Sequence, residues 1–135
     1  MIRELVNSAI AEIMGYTYDP EGFDEDGFHY CWRKGPEWHV TVPDFCHPQF
    51  SWQFRDFILA QPWCASDLNF ASSCSFSKMP SGRFYFEVRV LDVQTKRYRV
   101  YYDTKDTLDE AQTYALLKAY RKEQGLAEGA GDAKV

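Results

Sequence analysis

Arginine and tyrosine recur at alternate positions along the second half of the chain, and their spacing is the first hint of chemistry. From Arg83 to Leu91, Phe84, Phe86, Val88 and Val90 alternate with Tyr85, Glu87 and Arg89. From Lys96 to Tyr102, Tyr98, Val100 and Tyr102 alternate with Arg97, Arg99 and Tyr101. Strict period two over this length predicts half-buried strands. On that reading one face is apolar. The other carries Arg89, Arg97 and Arg99 with Tyr85 and Tyr101, beside the small Ser73 and Ser75. Guanidiniums grip phosphate or carboxylate, and tyrosine rings stack on a base, so the group suits a small anionic ligand such as a nucleotide. The same residues also suit a solvated face held by cross-strand pairs, and the sequence leaves both readings open.

Histidine and cysteine offer less. His39-Val40-Thr41 has the H-x-T form that 2H phosphoesterases use twice, but the other histidines stand in His29-Tyr30-Cys31 and His47-Pro48-Gln49. A phosphodiesterase or nuclease using His39 therefore stays an alternative, beside a purely structural histidine. His29, Cys31, Cys46 and His47 are soft enough for zinc, yet their spacing matches no compact site. The acidic run Asp19 to Asp26 places Asp24 and Asp26 as an EF-hand would, but Arg33 stands where the bidentate Glu belongs. No metal or other cofactor is expected. No glycine loop for phosphate and no nucleophile motif occurs. Asp24, Glu25 and Asp26 are read instead as an acidic loop that meets a basic partner.

These residues need a scaffold, and the pattern supplies one. Ile2, Leu5, Val6, Ala9, Ile10 and Ile13 form a helical stripe that Gly15 ends. Phe28–Arg33 and Glu37–Val42 read as a hairpin turning at Lys34-Gly35-Pro36, with Trp32 and Trp38 close across it. Ser51 suits the N-cap of a short helix, Trp52 to Ala60, that is apolar nearly all round. Phe70–Phe76, Arg83–Leu91 and Lys96–Tyr102 make a meander, with turns at Met79-Pro80-Ser81-Gly82 and Asp92-Val93-Gln94-Thr95. Thr107 and Glu110 form a capping box for a last helix, which Gly125 stops. The expected fold is α+β: one antiparallel sheet of about five strands under N- and C-terminal helices, with a short middle helix. Residues 1–125 are one domain and 126–135 a disordered tail.

Composition narrows the function further. The chain has 135 residues, enough to bury a core without staples. Ten Phe, nine Tyr and four Trp supply much of that core. A net charge of −5 argues against duplex DNA, which needs a basic face to displace counterions. Unpaired cysteine spacing and the lack of a leader or apolar span suggest a cytoplasmic protein with no membrane partner. The aromatic segment holding Trp52 and Trp63 is read as partly buried and partly an oligomer interface or partner surface, which makes a homo-oligomer the expectation.

The segment Asn7-Ser8-Ala9-Ile10-Ala11-Glu12-Ile13-Met14-Gly15-Tyr16, the Trp52 helix, and the closing Asp109-Glu110-Ala111-Gln112 to Ala115-Leu116-Leu117-Lys118-Ala119 helix resemble small tailed-phage proteins with an αβα-sandwich domain. Those proteins tend to carry Trp after the Met-Gly, where this chain has Tyr16. They also tend to carry a Tyr-Ser-Thr-Asp-like run where this chain has Gln49-Phe50-Ser51. The resemblance implies a fold and a phage setting, and transfers no activity. With it, the expectation is a phage-encoded, non-catalytic binding protein. It would inhibit a host protein or sequester a nucleotide signal, as an anti-defence factor. A phage accessory protein is the further alternative.

Overall fold

The computed structural model describes residues 3–19, 31–65, 74–92 and 94–132. The fold is α+β, and among the described residues the strands form two three-stranded antiparallel sheets, so one sheet of about five strands is not confirmed. In chain order the elements are α1 (Arg3–Ile13), β1 (Thr17–Tyr18), β2 (Trp32–Lys34), β3 (Glu37–His39), α2 (Pro48–Leu59), α3 (Pro62–Ala65), β4 (Cys74–Lys78), β5 (Phe84–Asp92), β6 (Arg97–Lys105) and α4 (Leu108–Asp132).

Helix α1 buries Val6, Asn7, Ile10 and Ala11. The buried stripe is rotated from the expected one, because Leu5 points to solvent at 58 % exposure. The helix ends as a Schellman motif. The Gly15 N–H donates to Glu12 O at 3.2 Å and the Tyr16 N–H to Ala11 O at 2.9 Å. Gly15 has φ +98, a conformation without cost only for glycine. The chain leaves this turn directly into β1, which takes the free edge of β2. The first sheet is thereby completed without the meander.

The hairpin β2–β3 is real but short. Its register sets Trp32 against His39, Arg33 against Trp38 and Lys34 against Glu37. Trp32 and Trp38 therefore lie on opposite faces, contrary to the sequence reading. Trp32 meets the Tyr18 ring at 5.2 Å, while the Arg33 guanidinium sits over Trp38 at 5.5 Å.

Helix α2 starts three residues before the predicted cap. His47 caps it, its Nδ1 accepting from the Gln49 N–H at 3.1 Å, and Pro48 takes the first turn, where a missing N–H costs nothing. Ser51 is instead inside the helix and buried, its hydroxyl donating to Asp109 Oδ1 of α4 at 2.6 Å.

In the second sheet β5 lies between β4 and β6. Phe86, Val88 and Val90 of β5 are buried, and α4 packs across β5 and β6 on that side. Ala111, Ala115 and Ala119 are fully buried along α4 and let its backbone approach the sheet closely. Thr107 caps the helix, its Oγ1 accepting from the Glu110 N–H at 3.2 Å. Gly125 does not end it: α4 runs to Asp132. Leu126, Ala127 and Glu128 are good helix formers, and Gly125 at about 1 kcal/mol does not by itself outweigh them. Residues 133–135 lie outside the described part.

Phe45, Phe54, Ile58 and Leu116 are fully buried where α1, α2, α4 and the meander meet. Thr113 seals this junction, its hydroxyl donating to the buried Phe45 carbonyl at 2.6 Å.

Candidate binding cleft

The arginine–tyrosine face of the sequence reading is not a single face. Pairing partners in an antiparallel ladder point the same way. Val90 pairs with Arg99, Val88 with Tyr101 and Asp92 with Arg97. Arg97, Arg99 and Tyr101 thus share the side of the sheet that carries Val88 and Val90, which α4 covers. Tyr85 and Arg89 lie on the opposite side, with Tyr98, Val100 and Tyr102. The reason is the four-residue connection between Asp92 and Arg97, which sets the register, and a slip of one would exchange the faces.

Arg99 is committed to structure. Its Nε and Nη2 donate to the Glu123 carboxylate at 2.9 and 2.6 Å, and its Nη1 to Asp92 Oδ2 at 2.9 Å. The hydrogen bond to Glu123 raises the Arg99 pKa against the opposing effect of burial. Burial, then the charge of Glu123, raises that of the Tyr101 phenol. The tryptophan pair also separates. Trp52 is 47 % exposed, while Trp63 packs against the core. Asp24, Glu25 and Asp26 lie outside the described residues.

What the structure does bring together is a cleft of about 860 Å³ at the hairpin, lined among others by Tyr16, Lys34, Glu37, His39, Thr41 and Phe50. This volume lies in the range of small-molecule sites. The hairpin register explains the lining, since Lys34, Glu37 and His39 fall on one face of the small sheet. Tyr16 is placed by the glycine turn after α1, and Phe50 by the first turn of α2.

The side chains in the cleft are arranged around the Tyr16 ring. The Lys34 ammonium lies 5.1 Å from its centroid, within cation–π range. The His39 imidazole lies 5.6 Å away, tilted by 56°. Its Nε2 is buried and has no hydrogen-bond partner, with the Glu37 carboxylate at 3.6 Å. Desolvation, then the charge of Glu37, raises the pKa of the Tyr16 phenol. Asp44 also lines the cleft but is held from the other side: Arg3 Nε at 3.0 Å, Asn7 Nδ2 at 3.1 Å and the Cys46 N–H at 3.1 Å all donate to it. Partial burial pushes its pKa up, and these three bonds more than offset that, leaving it below the ordinary value.

The buried thiols are poor nucleophiles. Burial pushes Cys46 and Cys74 up to about 12. Among the described residues no group of three or more His, Cys, Asp and Glu side chains is placed to hold a metal ion. Of the four residues weighed for zinc, His47 is the α2 cap and His29 lies outside the described part.

Sequence reasoning had His39 and Thr41 in view but missed the cleft, because Tyr16, Lys34 and Phe50 come from three different elements. The usable signal was the two-residue Gly35-Pro36 turn. Counted from it, Lys34 and His39 fall on one face. No helix among the described residues is long and apolar enough to cross a membrane. No family model, curated protein or solved structure matches the chain.

Proposed function

We propose that this is a non-catalytic binding protein that captures a small anionic, ring-bearing ligand of the nucleotide class in the hairpin cleft. One observation carries the reading: a cleft of nucleotide size holds a lysine ammonium, a tyrosine ring and an imidazole with an unsatisfied buried nitrogen. Lys34 supplies charge for a phosphate, and protonated or neutral His39 supplies a hydrogen bond that the free protein does not make. Phe50 gives the ligand ring an apolar surface. This site replaces the sheet-face arginines as the ligand contact. In the phage setting that the sequence resembles, such capture would sequester a host nucleotide signal.

A catalytic reading keeps one specific observation in its favour: His39 and Thr41 both line the cleft. His47, spent on capping α2, does not supply the second histidine of a 2H site. The two readings separate in one experiment. Thermal unfolding is followed with a panel of mono- and cyclic nucleotides, and the mixtures are assayed for turnover. Stabilisation lost in Lys34→Glu, with the nucleotide recovered intact, supports capture. Hydrolysis abolished by His39→Ala would establish the enzyme instead.

A further inference from the structure

The outer face of the meander carries a self-complementary pattern. Tyr98, Val100 and Tyr102 are 49, 45 and 56 % exposed there. The Tyr85 and Tyr102 rings lie 5.7 Å apart, tilted by 31°, and the Arg89 guanidinium lies 6.0 Å from the Tyr98 ring. The central strand presents one acid and one base on this face, Glu87 and Arg89, on either side of the inward-facing Val88. Glu87 accepts from the Ser75 hydroxyl at 2.7 Å and from the Tyr85 hydroxyl at 3.1 Å, which fixes its carboxylate. Arg89 Nε is buried and has no hydrogen-bond partner.

We propose that this face docks on the same face of a second copy. Closed dimers are isologous, so one patch must complement itself. A two-fold axis lying between the sheets and crossing the strands at Val88 runs the two central strands antiparallel. Glu87 then faces Arg89 of the partner subunit, twice, and Tyr102 meets Val100 of the partner subunit. Stacked sheets lie about 10 Å apart, a gap that a glutamate and an arginine span together. A polynucleotide on these tyrosines is disfavoured by the central Glu87 and by the net charge of −5.

Size sets the strength. β5 and β6 have nine residues each. With β4 at only five residues, the face projects less than roughly 30 by 14 Å, well under the ~800 Å² per partner of a standard interface. The pairing is therefore weak and concentration-dependent. It takes the place of the Trp52–Trp63 segment as the oligomer surface, because Trp63 is partly buried against the core.

Light scattering over a concentration series tests this without any ligand, so its outcome is independent of the hairpin cleft. The wild-type mass is expected to climb from 15.8 kDa toward twice that value. Arg89→Glu alone and Glu87→Arg alone should each weaken association at least tenfold, by setting like charges opposite one another. Mixing the two variants should restore it, because every facing pair is then opposite in sign. Val100→Glu, at an exposed position, should also prevent association while melting as a folded protein. A wild-type mass fixed at 15.8 kDa at the highest concentration would overturn the proposal. So would a mixture that stays monomeric although both variants show native circular dichroism. Saturable binding of a labelled single-stranded RNA lost on Tyr102→Ala, without self-association, would assign the face to nucleic acid instead.

Discussion

Arg99 of β6 reaches Glu123 of α4 through two guanidinium nitrogens, the shorter contact at 2.6 Å, and Glu123 is only 2 % exposed. The pair joins the meander to the last helix at the end far from the helix cap. Asp92 holds the third nitrogen, so the sheet, its turn and the helix meet at one side chain. This makes Arg99 a structural residue.

Truncating Arg99 leaves a carboxylate buried without its counter-charge. Arg99→Ala is expected to cost about 2–4 kcal/mol, toward the low side for a broken buried pair because the Arg99 side chain is 34 % exposed. Arg99→Lys should recover part of this, since an ammonium cannot reproduce the two-pronged contact. Urea unfolding of both variants checks the order. Equal stability of Arg99→Ala and wild type would mean that Glu123 finds water or another partner.

Acid should release the contact between α1 and the loop before α2. The folded pKa of Asp44 lies below its unfolded value. The stability from its bonds to Arg3, Asn7 and Cys46 is therefore fully present above the ordinary carboxylate pKa of about 4, and is lost as pH falls through the lower folded value. Asp92 behaves the same way, held down by the Thr95 and Gln94 N–H groups and then by Arg99. The Tm of Asp44→Asn should fall below that of wild type at neutral pH, and the gap should close as pH drops below about 4. A gap that stays constant with pH would assign the difference to packing.

The bond from Thr113 to the Phe45 carbonyl tests how the core is pinned. Thr113→Val keeps the shape but leaves a buried carbonyl unsatisfied, at an expected cost of about 1–3 kcal/mol. Ser51→Ala removes only a part-buried bond to Asp109 and should cost less. Chemical unfolding of both variants ranks them, and the reverse order would place the tighter constraint between α2 and α4.

How much of this was legible in the sequence depends on the element. Alternation located β5 and β6, because their side chains sit on a half-buried sheet. It did not fix which half of β6 faces inward. Both parities of the Arg97–Tyr102 run contain tyrosine, so hydrophobic pattern was indecisive and turn length decided. A second signal lay in α4. Glu123 continues the series Ala111, Ala115, Ala119 at four-residue steps, and an acid on a buried stripe requires a cation. That cation is Arg99, which could have been assigned inward on that ground. The caps divide similarly. Thr107 was readable because its partner Glu110 is three residues away. Ser51 was misread because its partner Asp109 is 58 residues away. The two-sheet arrangement was hidden because β1 has only two residues, too few to show any period.

The most direct test of the account is calorimetric titration of wild type and Lys34→Glu with the nucleotide that gives the largest thermal stabilisation. The expected result is saturable one-site binding to wild type, at least tenfold weaker in Lys34→Glu and in His39→Ala, with Arg97→Glu unchanged. Binding that survives Lys34→Glu and disappears in Arg97→Glu would contradict the cleft and return the site to the sheet.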